Sequence, residues 1–93
     1  MGKGNLTVGN SASTVGIVIT EILHNRQPIQ LPSEIMGKNI LFGDISDPIS
    51  LEQGYYQITA SIPSIANSSD TKDALIEPNE TTHIIFDKIP HEQ

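Results

Sequence analysis

The chain has no cysteine and no tryptophan. Without cysteine, no disulfide can brace the fold and no thiolate can hold a metal. Its aromatic residues are only Phe42, Phe86, Tyr55 and Tyr56. Basic residues are scarce as well: five Lys and Arg stand against eleven Asp and Glu, for a formal charge of −6. That balance argues against nucleic acid and against an anionic membrane, since both require a basic surface. No apolar run approaches the length that crosses a bilayer. The opening "MGKGNLTVGNSAST" lacks the apolar core of a secretory signal. Met1-Gly2 resembles a myristoylation start, but Leu6 occupies the usual Ser/Thr position, so that reading is rejected. The expectation is a protein made and at first kept on the cytosolic side.

What remains is a chain of 93 residues rich in isoleucine, fifteen in all. This length suits one domain. A domain of that size buries a limited share of its surface and gains from neighbours, so oligomerisation is expected. Isoleucine is β-branched and favours strands.

Residues 1–13 are rich in Gly, Asn and Ser and read as an N-terminal connector arm; residues 14–93 read as the domain. In "STVGIVITEILHNRQ" the run Ile17-Val18-Ile19-Thr20 after Gly16 is poor helix material, which favours a strand. Val15, Val18, Ile19, Ile22 and Leu23 also fit helical spacing, so a helix over residues 14–26 stays as the rival. Pro28, Pro32, Gly37, Gly43 and Pro48 then punctuate the chain, leaving short strands at Ile29–Leu31 and Asn39–Phe42.

The most regular stretch is "PISLEQGYYQITASI". Ile49 and Leu51 alternate with polar residues, Glu52-Gln53-Gly54 turns the chain, and Tyr56, Ile58, Ala60 and Ile62 line one face. Tyr55, Gln57, Thr59 and Ser61 line the other. The pattern predicts a β-hairpin with one dry face, ended by Pro63. Tyr55 opens the polar face, where its ring can cover a neighbour and its hydroxyl stay wet. Asn67–Asp73 reads as a polar turn and Ala74–Ile76 as a short strand. The last element, Thr81–Ile89, is apolar on both faces, with Ile84 and Phe86 on one and Ile85 and Ile89 on the other. Such a strand is central or lies at a subunit interface.

Few residues point to chemistry. His24, His83 and His91 are widely spaced. A three-fold axis could gather His83 from each chain into a metal site, but a surface or interface histidine is the commoner case. Asp44 with Asp47, or Asp70 with Asp73, could offer oxygens to calcium, yet neither run matches an EF-hand loop. No nucleophile elbow, P-loop spacing or paired catalytic carboxylates can be recognised. The three Asn-x-Ser/Thr sequons, at Asn5, Asn67 and Asn79, read as chance in an Asn/Ser/Thr-rich chain. No enzyme activity, metal or cofactor is expected.

At "DPISLEQGYYQITASIP" the sequence resembles jelly-roll heads of the TNF-like superfamily, including the C-terminal heads of BclA-type spore-surface proteins. Ile49, Leu51, Gly54, Tyr55, Tyr56, Ile58 and Ala60 carry the likeness, which spans residues 15–62. The chain departs from that family in its shortness and in having no Gly-X-Y stalk. The resemblance implies a jelly-roll-like β-sandwich that forms trimers around an apolar axis. It also implies a subunit of a spore appendage or other surface fibre, its stacked oligomers joined by N-terminal arms. An anchor protein and a tip protein are further candidate partners.

On physical grounds alone, an extended arm can add to an exposed sheet edge in a neighbour, and a head-to-tail contact of that kind propagates. Leu6 and Val8 are the expected inter-subunit contacts of the arm; Tyr55, Ile84 and Phe86 are those of the subunit interface. The alternative is a trimeric binding head, such as an adhesin, a receptor-binding tip or a phage decoration protein. Its loops at Asp44–Asp47 and Asn67–Asp73 would then recognise a glycan or a protein.

Overall fold

A computed structural model describes residues 2–89 and shows an all-β domain of two packed sheets, with no helix among the described residues. The strands are β1 (Lys3–Asn10), β2 (Val18–His24), β3 (Gln27–Ile29), β4 (Ile49–Glu52), β5 (Gly54–Ser61), β6 (Asp70–Ile76) and β7 (Thr81–Phe86). One sheet has three strands in the order β4-β1-β7; the other has four in the order β3-β2-β5-β6. All pairs are antiparallel except β1 with β7, which run parallel. The inner faces share one core, in which Leu6, Val8, Ile17, Ile22, Ile49, Ile58 and Phe86 are fully buried.

Within residues 14–26 the chain forms the strand β2 over Val18–His24, and the helical rival falls. A β-bulge between Ile19 and Glu21 shifts the phase, so Ile19 and Ile22 both reach the core although they lie three apart. That shift is why the segment also fitted helical spacing.

The "ISLEQGYYQITAS" stretch keeps its predicted faces but not its predicted pairing. Ile49, Leu51, Tyr56, Ile58, Ala60 and Ile62 are all buried. However, β4 and β5 belong to different sheets. The chain crosses the core at Gln53 and forms an arch, not a hairpin, so both apolar faces look at each other across the sandwich. Gly54 has φ 142°, and a Cβ there would meet His24 Nε2 at 2.5 Å. Glycine is needed for both the backbone angle and the space.

Other expectations move too. Asn39–Phe42 is not a strand; only Ile40 forms an isolated bridge, with Ile17. Gln27–Ile29 replaces Ile29–Leu31 as the short strand. Asp70–Asp73 is the first half of β6 and not a turn, because Thr59 and Gln57 of β5 pair with Thr71 and Asp73. The last strand stops at Phe86, although Ile89 is still buried. Pro90 to Gln93, with His91, lie outside the described residues.

Candidate assembly surfaces

Residues 3–10 do not stand apart from this chain as an arm. They form β1, the middle strand of its sheet, pairing with β4 from Lys3 to Leu6 and with β7 from Asn5 to Asn10. Leu6 and Val8, expected in a neighbour, are 0% exposed in this chain's own core. Alternation of Leu6 and Val8 with Asn5 and Thr7 suits a strand with one dry face. Gly4 lets the strand pass close beneath the 77–80 turn, where a Cβ would collide with the Glu77 carbonyl oxygen.

A single stretch, residues 11–17, joins β1 to the rest of the fold. Its geometry is set by Asn10, which is 2% exposed. The Asn10 side-chain amide donates to the carbonyls of Ser13 (3.0 Å) and Ile40 (2.9 Å). Its Oδ1 accepts from the N–H groups of Ala12 (2.9 Å) and Ser13 (3.1 Å). A buried amide satisfied on both sides fixes the turn out of β1.

The residues expected at subunit contacts divide into two groups. Ile84 and Phe86 face the core, at 9% and 0% exposure. Tyr55 is exposed beside its cross-strand partner Leu75. Hydrogen bonding to the Asp73 carboxylate raises the pKa of the Tyr55 phenol, with lesser contributions from desolvation and from the Asp73 charge. Tyr56, one residue on, is buried; its hydroxyl donates to the Glu52 carbonyl at 2.7 Å and so ties the arch shut. Desolvation, then the Glu52 charge, raises its pKa.

Among the described residues, His24 and His83 lie apart, in different sheets. The His24 ring stacks on Tyr56 at 4.3 Å, nearly parallel, and its buried Nε2 has no hydrogen-bond partner among the described residues. His83 lies on the outer face of β7, with Nδ1 2.8 Å from Thr7 Oγ1. No group of three His, Cys, Asp or Glu placed to hold a metal occurs among the described residues. Asp44 and Asp47 line an open depression of about 160 Å³ beside Glu34 and Lys38.

A second depression, of about 180 Å³, lies on the outer face of the three-stranded sheet. Gly9 bares its floor, and His83, Ile45 and Ile85 stand around it. Ile45 and Ile85 are 60% and 47% exposed, although the chain neighbours of Ile85, Ile84 and Phe86, are core. The two-faced apolar pattern of residues 81–89 was the sequence signal for this surface. Ile45, which bridges to Gly9 from the long loop, had no such signal. No protein-family model, no curated protein and no solved structure matches the chain.

Proposed function

We propose that this chain is a non-enzymatic structural subunit that assembles with copies of itself into a surface fibre, with β1 as the element passed between neighbours. The observation that carries this reading is the position of β1. Leu6 and Val8 are wholly core, both neighbouring strands are distant in sequence, and one short stretch connects β1 to the body. A neighbour's β1 in the same slot would restore every one of these contacts, which makes exchange of an identical element a low-cost route to association. Exchange passed from copy to copy builds a filament where the rotation between copies does not close a ring.

The two-layer sandwich supports the likeness to jelly-roll heads at the level of architecture. Seven strands with one parallel pair differ from the usual eight-stranded double Greek key. The proposal includes the trimeric stacking and the spore- or cell-surface location implied by the resemblance, with an anchor and a tip protein at the fibre ends. The competing binding-head reading draws on Leu41 and Phe42, 54% and 52% exposed in the long loop before β4.

Two measurements test the proposal. Negative-stain electron microscopy of untagged protein should show filaments; uniform small particles would favour the binding head. Asn5 and Ser50 are cross-strand partners on the exposed face, and the chain has no cysteine of its own. In filaments of an Asn5→Cys, Ser50→Cys variant, oxidation should link chain to chain and give a covalent ladder on a non-reducing gel. Filaments that yield only internally bridged monomers would exclude β1 exchange.

A further inference from the structure

Four strands end the two sheets: β3 and β6 in one, β4 and β7 in the other. An edge strand presents backbone donors and acceptors that pair with any strand offered, and folds guard against this with proline, charge or shortness. Three of these edges are guarded. β3 has three residues with Pro28 in the middle. β4 has four, preceded by Pro48 and closed by Glu52. β6 carries Asp70, Lys72 and Asp73, and its Leu75 carbonyl accepts the Thr82 hydroxyl at 2.8 Å. β7, Thr-Thr-His-Ile-Ile-Phe, has no proline, no carboxylate and no ammonium group.

The phase of β7 is also set. On the β1 side, the Asn5 N–H donates to the Glu80 carbonyl and the Ser11 N–H to the Phe86 carbonyl. Parallel pairing uses alternate residues, so the backbone groups of Thr81, His83 and Ile85 point away from β1. β7 pairs with no other strand among the described residues. The side chains of these same three residues are exposed.

We propose that the β7 edge is a docking surface for the same edge of a second copy, antiparallel across a two-fold axis at His83. In that register Thr81 faces Ile85 of the second copy, and the three outward residues of each chain exchange about six backbone hydrogen bonds. The two three-stranded sheets become one of six strands. The edge complements itself in charge as well. Glu77 and Glu80 precede β7, Lys88 follows it, and the Asp87 carboxylate there is already 3.6 Å from Lys72 Nζ. Antiparallel pairing therefore sets the acidic end of each strand beside the Lys88 end of the other. This surface goes beyond β1 exchange and does not depend on it, since β7 keeps a β1 neighbour whichever copy supplies it.

The test places one thiol at the axis. Cα atoms directly opposite in an antiparallel hydrogen-bonded pair lie about 5.5 Å apart, within disulfide range. A His83→Cys chain should oxidise almost completely to a covalent dimer, while Ser50→Cys, on the opposite edge, should stay largely monomeric under the same oxidant. Separately, Ile85→Lys should halve the mass per unit length of the filaments, or the sedimenting mass of discrete particles, with an unchanged far-UV spectrum. Wild-type protein that sediments as a monomer would overturn the proposal. So would oxidation of His83→Cys no faster than Ser50→Cys, or an Ile85→Lys mass equal to wild type.

Discussion

Leu6→Ala separates a core strand from a connector more sharply than any other change. A leucine on a solvated arm contributes almost nothing to unfolding, whereas Leu6 is 0% exposed between Ile49 and Thr82 in the sheet register. Truncating a buried leucine removes its transfer free energy and leaves a cavity, roughly 2–5 kcal/mol together. The slot has closed walls on both strands, so we place the loss at about 3 kcal/mol. A domain of this length has of order 5–15 kcal/mol in total, so the variant should fold with much of its margin gone. With a urea slope of about 1 kcal/mol per molar, the midpoint should fall by about 3 M. The assay is urea unfolding followed by far-UV circular dichroism, with Thr7→Ala as the control. Thr7 is half-buried on the outer side, its hydroxyl 2.8 Å from His83 Nδ1, and its loss should cost less than about 1 kcal/mol. A Leu6→Ala midpoint within about 0.5 M of wild type would show that β1 does not occupy this core.

Ser68 is buried and its hydroxyl joins the Ile62 N–H (2.9 Å) to the Ile65 carbonyl (2.8 Å); Ser68→Ala strands a buried donor and should cost about 1–3 kcal/mol in the same urea assay. Alkali should weaken the fold. The Tyr56 pKa is raised above 10.0 in the folded state, so its contribution is fully present below pH 10.0 and is lost as pH rises through the folded value. Urea midpoints that fall as steeply with alkali in Tyr56→Phe as in wild type would exclude Tyr56 as the cause. Deleting the exposed pair Thr14 and Val15 shortens the only link between β1 and β2. A link too short to fold back favours exchange between copies, so light scattering should show larger species than wild type.

Much of the sandwich was legible because its code is local. Alternation in residues 54–62 named a buried face that the fold keeps, and glycine at position 54 marked the place where the chain turns. The partner of that face was not legible. A strand with one dry face is satisfied equally by a hairpin neighbour and by an opposing sheet, and no residue between Ile49 and Tyr56 distinguishes the two. The bulge at Ile19 to Glu21 hid the period of β2 for a similar reason, since one extra residue turns an alternation of two into a spacing of three. Polar composition misled at both Asp70–Asp73 and residues 3–10. An edge strand carries charges as a guard, and a strand rich in Gly and Asn can still hold a core with two apolar side chains. Of the candidate surface, the β7 half showed in the apolar pair Ile84 and Ile85. The Ile45 half is made by a loop packed across Gly9, which only the assembled fold brings together.

The sequence features that first suggested an arm and those that build β1 are the same residues, and physics does not force a choice between them. Closed and exchanged forms make identical contacts at Leu6 and Val8, so the core energy cancels in the comparison. What differs is the link. Folding back requires the turn at residues 11–17, held by three Asn10 side-chain hydrogen bonds to Ala12 and Ser13. Exchange requires that stretch to run straight and also depends on protein concentration, since association costs translational entropy. Asn10 is therefore the residue on which the balance turns, because its bonds to Ala12 and Ser13 hold the closed link, while its bond to the Ile40 carbonyl belongs to the slot that both forms share. The β7 edge is unaffected by either choice. A fibre built on β1 exchange would leave that edge available to a second copy along its length.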